Sequence, residues 1–220
     1  MKRNVIITGC AGGLGQALIK NLEEDFMILP LTRDQIDLSK EDELKKFLKQ
    51  YLAGKVIHGL VNNAATAYVD LVTGVDMKKV EEMFRVNVYA CFLLTQYVIR
   101  NMILHDTKGS LVHISSICTQ TGYTGLSFYA AAKGALEAFS KSVAREWGSY
   151  GIRSNCVVAG FMSTAMSRSL SDAQQHHIIK RSSLKELISI KSVAETVKFL
   201  LSDSSHSITG QNIIVDAGTI

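Results

Sequence analysis

The stretch "NVIITGCAGGLGQALIK", Asn4 to Lys20, decides the fold. It opens on a short β-branched apolar run, Val5 to Ile7, which reads as a buried strand. A glycine-rich turn follows, and then apolar residues at helical spacing. Glycines there let the chain turn tightly and let its backbone approach a ligand. A helix N-terminus offers unbonded N–H groups and the positive end of a dipole, which suits phosphates. The spacing T-G-x-x-x-G-x-G over Thr8 to Gly15 is not the commoner G-x-G-x-x-G. Alone, it would fit an ordinary tight turn. Its place between a buried strand and a helix favours a bound nucleotide.

The rest of the chain repeats the alternation. Strands are predicted at "FMILPLT" (26–32), "IDLS" (36–39), "KVIHGLVNNA" (55–64), "GSLVHISS" (109–116), "IRSNCVVAG" (152–160) and "QNIIVDAG" (211–218). Between them lie a charged helix from 40 to 52 capped by Ser39, a long helical pattern from Met77 to Met102, a helix from Phe128 to Trp147, and a final helix opened by a capping box from Ser192 to Glu195. Strands alternating with helices call for a doubly wound parallel sheet, a three-layer α/β/α, Rossmann-like fold. The strands lack clean polar alternation, as a sheet covered on both faces requires. With 220 residues, 47% apolar, and one proline, Pro30, the chain reads as a single domain over 1–220. The polar, serine-rich stretch 161–191 is expected to be a mobile substrate loop.

Several classes of function are excluded. The net charge of +4 is spread without a Lys/Arg block, so no nucleic-acid partner is expected. Cys10, Cys91, Cys118 and Cys156 show no C-x-x-C spacing and read as reduced thiols of a cytoplasmic protein. The histidines do not cluster, and adjacent His176 and His177 diverge on a helix, so no metal is expected. The start "MKRNVIITGC" mimics a lipoprotein signal, but its apolar run is far shorter than the roughly 7–15 residues needed. No run approaches the roughly 18 apolar residues of a membrane span.

Five features occur in order: "TGCAGGLG" (8–15), "NNAA" (62–65), Asn87, "SS" (115–116) and "YAAAK" (129–133). With them the chain resembles the short-chain dehydrogenase/reductase family, in its single-domain form, over nearly its whole length. The resemblance implies that Tyr129 is the general acid/base. It makes Ser116, rather than Ser115, the serine that hydrogen-bonds the substrate oxygen. Lys133 would bind the nicotinamide ribose, and Asn87 would anchor a water of the proton relay. Elementary chemistry agrees. A free phenol has a pKa of roughly 10, an ammonium nearby favours the phenolate, and residues four apart share a helix face. Asn87 interrupts an apolar stripe of Val80, Phe84, Cys91, Leu94 and Val98, where a polar group is costly unless paired. A buried asparagine bonded to local backbone would explain it equally. Ser116 or Lys133 alone would be unremarkable; their joint occurrence carries the reading.

The same resemblance assigns cofactor contacts to Thr8, Gly9, Gly12, Gly13, Leu14 and Gly15. It adds Thr32, Arg33, Asp37, Leu38, Asn63, Ala64, Ala65, Gly160, Met162 and Thr164, beside Tyr129 and Lys133. Arg33 after the second strand favours NADP(H), since its fork matches a 2′-phosphate. Asp34, and Gly12 where many NADP-using relatives carry a basic residue, leave NAD(H) open. The implied reaction interconverts a carbonyl and an alcohol. "TGLSFYAAAKGAL" and "ITGQNIIVDAG" are most similar to 3-oxoacyl-thioester (acyl-carrier-protein) reductases. A sugar or small-ketone reductase, or a non-catalytic dinucleotide sensor or scaffold, are the alternatives. A homotetramer or dimer through the two long helices is expected, although the small residues from Ala130 to Ala138 also suit packing within one subunit. Three departures stand out: "NNAA" for the usual "NNAG", Ala159-Gly160 for Pro-Gly, and little room between the second and third predicted strands, which would open the adenine side.

Overall fold

The computed structural model describes residues 2–162 and 172–220. Six parallel strands form one sheet in the order β2-β1-β3-β4-β5-β6. They are β1 (Arg3–Thr8), β2 (Phe26–Leu31), β3 (Gly59–Asn62), β4 (Gly109–Ser116), β5 (Ile152–Ala159) and β6 (Asn212–Val215). The helices are α1 (Gly13–Leu22), α2 (Glu41–Tyr51), α3 (Met77–Phe84), α4 (Ala90–Leu104), the short α5 (Cys118–Thr121), α6 (Ser127–Trp147), α7 (Asp172–Arg181) and α8 (Ile190–Leu201).

The continuous apolar strands now have a cause. Val5 and Ile7 turn to one face, where Leu18 and Leu22 of α1 and Val193, Val197 and Leu200 of α8 cover them. Ile6 turns to the other, against Leu44 and Leu48 of α2 and Leu94 and Val98 of α4. Both faces are buried, so both need apolar side chains. The chain steps from β1 outward to β2, then crosses to β3 on β1's other side. The crevice at the C-terminal ends of β1 and β3 is therefore the switch point where such sheets bind ligands.

Three local expectations are corrected. "IDLS" forms no strand. Gln35 and Ile36 donate their N–H groups to the Thr32 carbonyl in a turn, and Ile36 plugs the core beside Leu31 and Leu44. Its apolar character reflects burial, not pairing. β2 is thus the sheet edge, where Pro30 is tolerated. Ser39 does not cap α2: its N–H and hydroxyl both donate to Asp37 Oδ1, at 2.9 and 2.8 Å, and Lys40 holds the cap position. The cap of α8 is Ser189, whose hydroxyl accepts the Ser192 N–H at 2.9 Å; Ser192 lies inside the helix. The stretch 161–191 holds a regular helix, α7; residues 163–171 lie outside the described residues, and the mobile-loop expectation falls partly on them.

The cap assignment is testable. Ser189→Ala should lower stability by about 1 kcal/mol, and Ser192→Ala by less than half as much, in urea unfolding. A larger loss from Ser192→Ala would contradict the cap.

Candidate active site

The glycine turn is bolted to the end of β3. Thr8 Oγ1 accepts the N–H groups of Asn63 and Ala64 at 3.0 and 2.9 Å. In return Asn63 Nδ2 donates to the carbonyls of Thr8 and Gly9 at 2.9 and 3.2 Å. Thr8 and Asn63, both expected at the cofactor, thus spend their side chains on shaping the crevice. Gly9 has φ +69°, and a Cβ there would stand 2.8 Å from Ala64 Cα. A Cβ at Gly15 would stand 2.2 Å from the Gly9 carbonyl oxygen. Gly12 is different: a Cβ there meets only the Gly9 oxygen, at 3.5 Å. Gly13 opens α1, whose first N–H groups have no intrahelical acceptor. Leu14 faces the core, so only its backbone is available to a ligand. Ala65 takes no positive φ, which is why alanine serves where glycine is usual.

On the adenine side, Thr32 N–H is held by Gln35 Oε1 at 3.0 Å, while Arg33 and Asp34 are exposed. The two Ser39 donors hold the Asp37 carboxyl below the usual range, with Arg33 and Lys40 adding to the effect. Leu38 packs on the core.

Helix α6, which carries Tyr129 and Lys133, packs on β4, which carries Ser115 and Ser116. Alternation along β4 sends Ser115 and Ser116 to opposite sides. Ser115 is buried and donates to Glu137 Oε1 at 2.6 Å. Ser116 is half-buried, and its Oγ accepts the Cys118 N–H at 3.3 Å; its hydroxyl hydrogen can rotate between the Cys118 sulfur and an acceptor in the crevice. Lys133 is 2% exposed, and its Nζ donates to the Ile114 carbonyl at 2.8 Å. The same Nζ lies 5.7 Å from the centroid of the Tyr129 ring. Burial pulls the Lys133 pKa down. The expected lowering of the Tyr129 pKa is not seen. Burial comes first and pushes the phenol up, and the Cys118 sulfur pushes in the same direction. In the free protein Tyr129 therefore holds its proton.

Asn87 is fully buried at the centre of a π-helical turn, Arg85–Tyr89, between α3 and α4. Such turns recur at functional sites. Its Oδ1 accepts the Thr66 N–H and its Nδ2 donates to the Thr66 carbonyl, both at 2.8 Å. The carboxamide is thus a clamp on the chain just past Ala65, bonded to backbone 21 residues away rather than to local backbone. Across the site, Gly160 N–H donates to Val215 at 2.8 Å, Phe161 meets Tyr123 edge-on with ring centroids 5.3 Å apart, and Met162 packs on the core. Thr164 lies outside the described residues.

Residues 4–219 match a family model described as Enoyl-(Acyl carrier protein) reductase. The chain belongs to the short-chain dehydrogenase/reductase family. Short-chain dehydrogenase/reductase relatives cover it nearly end to end. Pig (Sus scrofa) carbonyl reductase (NADPH) 2 is 33% identical over 97% of this chain and 94% of its own. The 3-oxoacyl-(acyl-carrier-protein) reductase FabG of Chlamydia trachomatis is 33% identical over 98% and 86%. Among solved structures, 4-hydroxyisoleucine dehydrogenase complexed with NADH is 26% identical, covers 99% of this chain and 98% of its own, and superposes with a TM-score of 0.94. The protein is accordingly an NAD(P)-dependent short-chain oxidoreductase. The crevice fits such a cofactor. Gly9 and Gly15 leave no room for a Cβ, Gly12 is open, and the α1 N-terminus faces it with unbonded N–H groups.

Sequence reading missed three residues of this region: Gln35, His113 and Glu137. Gln35 gave no signal beyond its polarity in a turn. His113, fully buried on β4, is driven down to about 4 chiefly by burial and then by Lys133, so it is neutral. Its ring nitrogens lie 3.0 Å from Asn62 Nδ2 and 3.3 Å from Ser154 Oγ. A polar residue inside the apolar run "LVHI" was the available sign. Glu137, four residues past Lys133, was visible as an acid on the buried face of α6.

Gly15→Ala should cost about 2 kcal/mol or more from overpacking against backbone and abolish NADPH binding measured by fluorescence. Gly12→Ala should leave stability unchanged. Equal tolerance at the two positions would contradict the crowded cradle.

Proposed function

We propose that the protein reduces a carbonyl to an alcohol with NADPH, with Tyr129 as general acid, Ser116 as donor to the substrate oxygen and Lys133 as the charge that orders both. The observation that carries this reading is the buried Lys133 ammonium. It lies beside Tyr129 with no salt-bridge partner among the described residues. The bound nicotinamide would supply the hydride. As negative charge develops on the carbonyl oxygen, Ser116 stabilises it with its hydroxyl hydrogen and Tyr129 gives up its proton. Lys133 holds two further N–H donors for the nicotinamide ribose. Asn87 keeps the Thr66 segment in place and continues the proton relay through a water.

Arg33 supports NADP(H) over NAD(H). It is exposed at the end of β2, while the Asp37 carboxylate is engaged by Ser39. A short 3-oxoacyl thioester is the favoured substrate. The Chlamydia relative is named for that reaction, and Val69, Leu71 and Val72 expose apolar side chains on the loop whose Asp70 N–H bonds Gly125 beside the site. Bovine (Bos taurus) L-xylulose reductase, 31% identical over 98% of this chain, keeps a sugar ketone as the second reading. The segment 161–191 would act as the mobile substrate loop of this single domain, with α7 inside it. A cytoplasmic homotetramer completes the reading. The cysteines are free and buried, and an apolar groove between α4 and α6, lined by Tyr89, Phe92, Ile99, Phe139 and Trp147, offers a self-contact. Sedimentation of a monomer alone would remove the tetramer.

The test is NADPH and NADH oxidation with a short 3-oxoacyl thioester, beside Tyr129→Phe. Turnover should prefer NADPH and fall by about a thousandfold or more in the variant. A Tyr129→Phe protein without turnover that keeps full biological activity would favour a sensor or scaffold instead. The raised Tyr129 pKa sets the pH dependence. Reduction needs the phenol, so its rate should stay level through neutral pH up to about pH 9. Alcohol oxidation needs the phenolate, so its rate should climb across the same range. A reduction rate that falls between pH 6 and about 8 would contradict the assignment.

A further inference from the structure

Glu137 lies one helical turn beyond Lys133 and two beyond Tyr129 on the same side of α6, 7% exposed. The chemistry described so far does not use it. Its Oε1 accepts from Ser115 Oγ at 2.6 Å and from Thr119 Oγ1 at 2.7 Å. Its Oε2 accepts from Asn212 Nδ2 at 2.9 Å and from Gln120 Nε2 at 3.3 Å. No salt bridge reaches it among the described residues. A buried carboxylate held only by neutral donors is costly, and a well-packed apolar side chain would usually serve stability as well or better.

The identity of the donors gives the reason. Ser115 immediately precedes Ser116, and Thr119 follows it by three residues. Thr119 Oγ1 also stands 2.9 Å from the Ser116 carbonyl, so its single hydrogen is shared between that carbonyl and Glu137. The carboxylate therefore grips both flanks of Ser116 from behind the strand. The turn it holds is the one whose Cys118 N–H occupies a lone pair of Ser116 Oγ. Asn212 ties the same carboxylate to β6, so β4, α5, α6 and β6 meet at one side chain. We propose that Glu137 is the positioning residue for Ser116: it fixes the end of β4 and the turn after it, so that the Ser116 hydroxyl stands where the carbonyl oxygen will be. This rests on the role given to Ser116 above.

The experiment is a double-mutant cycle. Glu137→Leu and Glu137→Gln are each made in the native protein and in Ser116→Ala, and single-turnover kcat, KM for the carbonyl and NADPH Kd are measured. Glutamine keeps the shape: with its carbonyl oxygen towards Asn212 and Gln120, its Nε2 can donate to both Ser115 Oγ and Thr119 Oγ1, because hydroxyl hydrogens rotate. In the native background Glu137→Leu should lower kcat about thirtyfold and Glu137→Gln about threefold, from misplacement of the serine. KM should move less than kcat, and NADPH Kd should stay within about twofold for both. In Ser116→Ala neither substitution should lower kcat further. If Glu137→Leu fails to fold, Glu137→Gln in the two backgrounds decides by the same criterion. Losses that add fully in Ser116→Ala, unchanged kcat in the native background, or a loss matched by weaker NADPH binding would each overturn the assignment. Ser116→Ala with undiminished kcat would overturn the reading of Ser116 itself and this inference with it. An impaired Ser116→Ala with additive losses overturns Glu137 alone.

Discussion

A lysine ammonium buried without an anion is the constraint around which this molecule is organised. Lys133 is 2% exposed, bonded to the Ile114 carbonyl and flanked by Cys91, Cys118 and Cys156 rather than by carboxylates. Desolvating a charge in this way opposes folding, and one hydrogen bond to a neutral carbonyl offsets only part of it. Apolar packing of the sheet's two faces carries that cost. Helix α6 brings three ionisable side chains to one side at four-residue spacing: the Tyr129 phenol, the Lys133 ammonium and the Glu137 carboxylate. Each is settled differently. The phenol keeps its proton because of burial, the ammonium leans on a strand carbonyl, and the carboxylate is wrapped by four neutral donors.

The second half of the site depends on topology rather than on one helix. Reversal of chain direction about β1 opens the crevice, and the reciprocal Thr8 and Asn63 bonds set its floor. The π-helical turn at Asn87 clamps Thr66, the next piece of the same wall. Several residues expected to touch a cofactor are thus committed to holding its bed. What the bed offers is mostly backbone: the turn from Gly9 to Gly15 and the first N–H groups of α1. Among the described residues no strand lies beyond β2, and Arg33 stands exposed at that edge.

The motifs were legible because their signals are local. A strand, a glycine turn and a helix need only neighbouring residues to be read, and "YAAAK" carries its own geometry. The long pattern from Met77 to Met102 was legible as helix, but not the π-helical turn at its centre, which depends on how Asn87 meets Thr66 across space. "IDLS" misled because an apolar residue in a turn looks like a strand until its hydrogen-bond partners are known. The caps at Ser39 and Ser192 failed for a similar reason: other serines, acids or lysines nearby competed for the same positions. The direction of the Tyr129 shift was misjudged because burial is a property of the whole fold, whereas the ammonium four residues away is visible in the sequence. Glu137 was readable only as a buried acid; its partners come from β4, the turn after it and β6, up to 75 residues away.

The most direct measurement is the thermal stability and turnover of Lys133→Met, taken together. Methionine fills a similar volume without the charge. If the ammonium is held against the interest of the fold for the sake of chemistry, the variant should melt higher by about 3 °C or more, while turnover falls at least about a hundredfold. A variant that melts lower and turns over normally would mean that Lys133 is a structural strut, and the account of the site would fail with it.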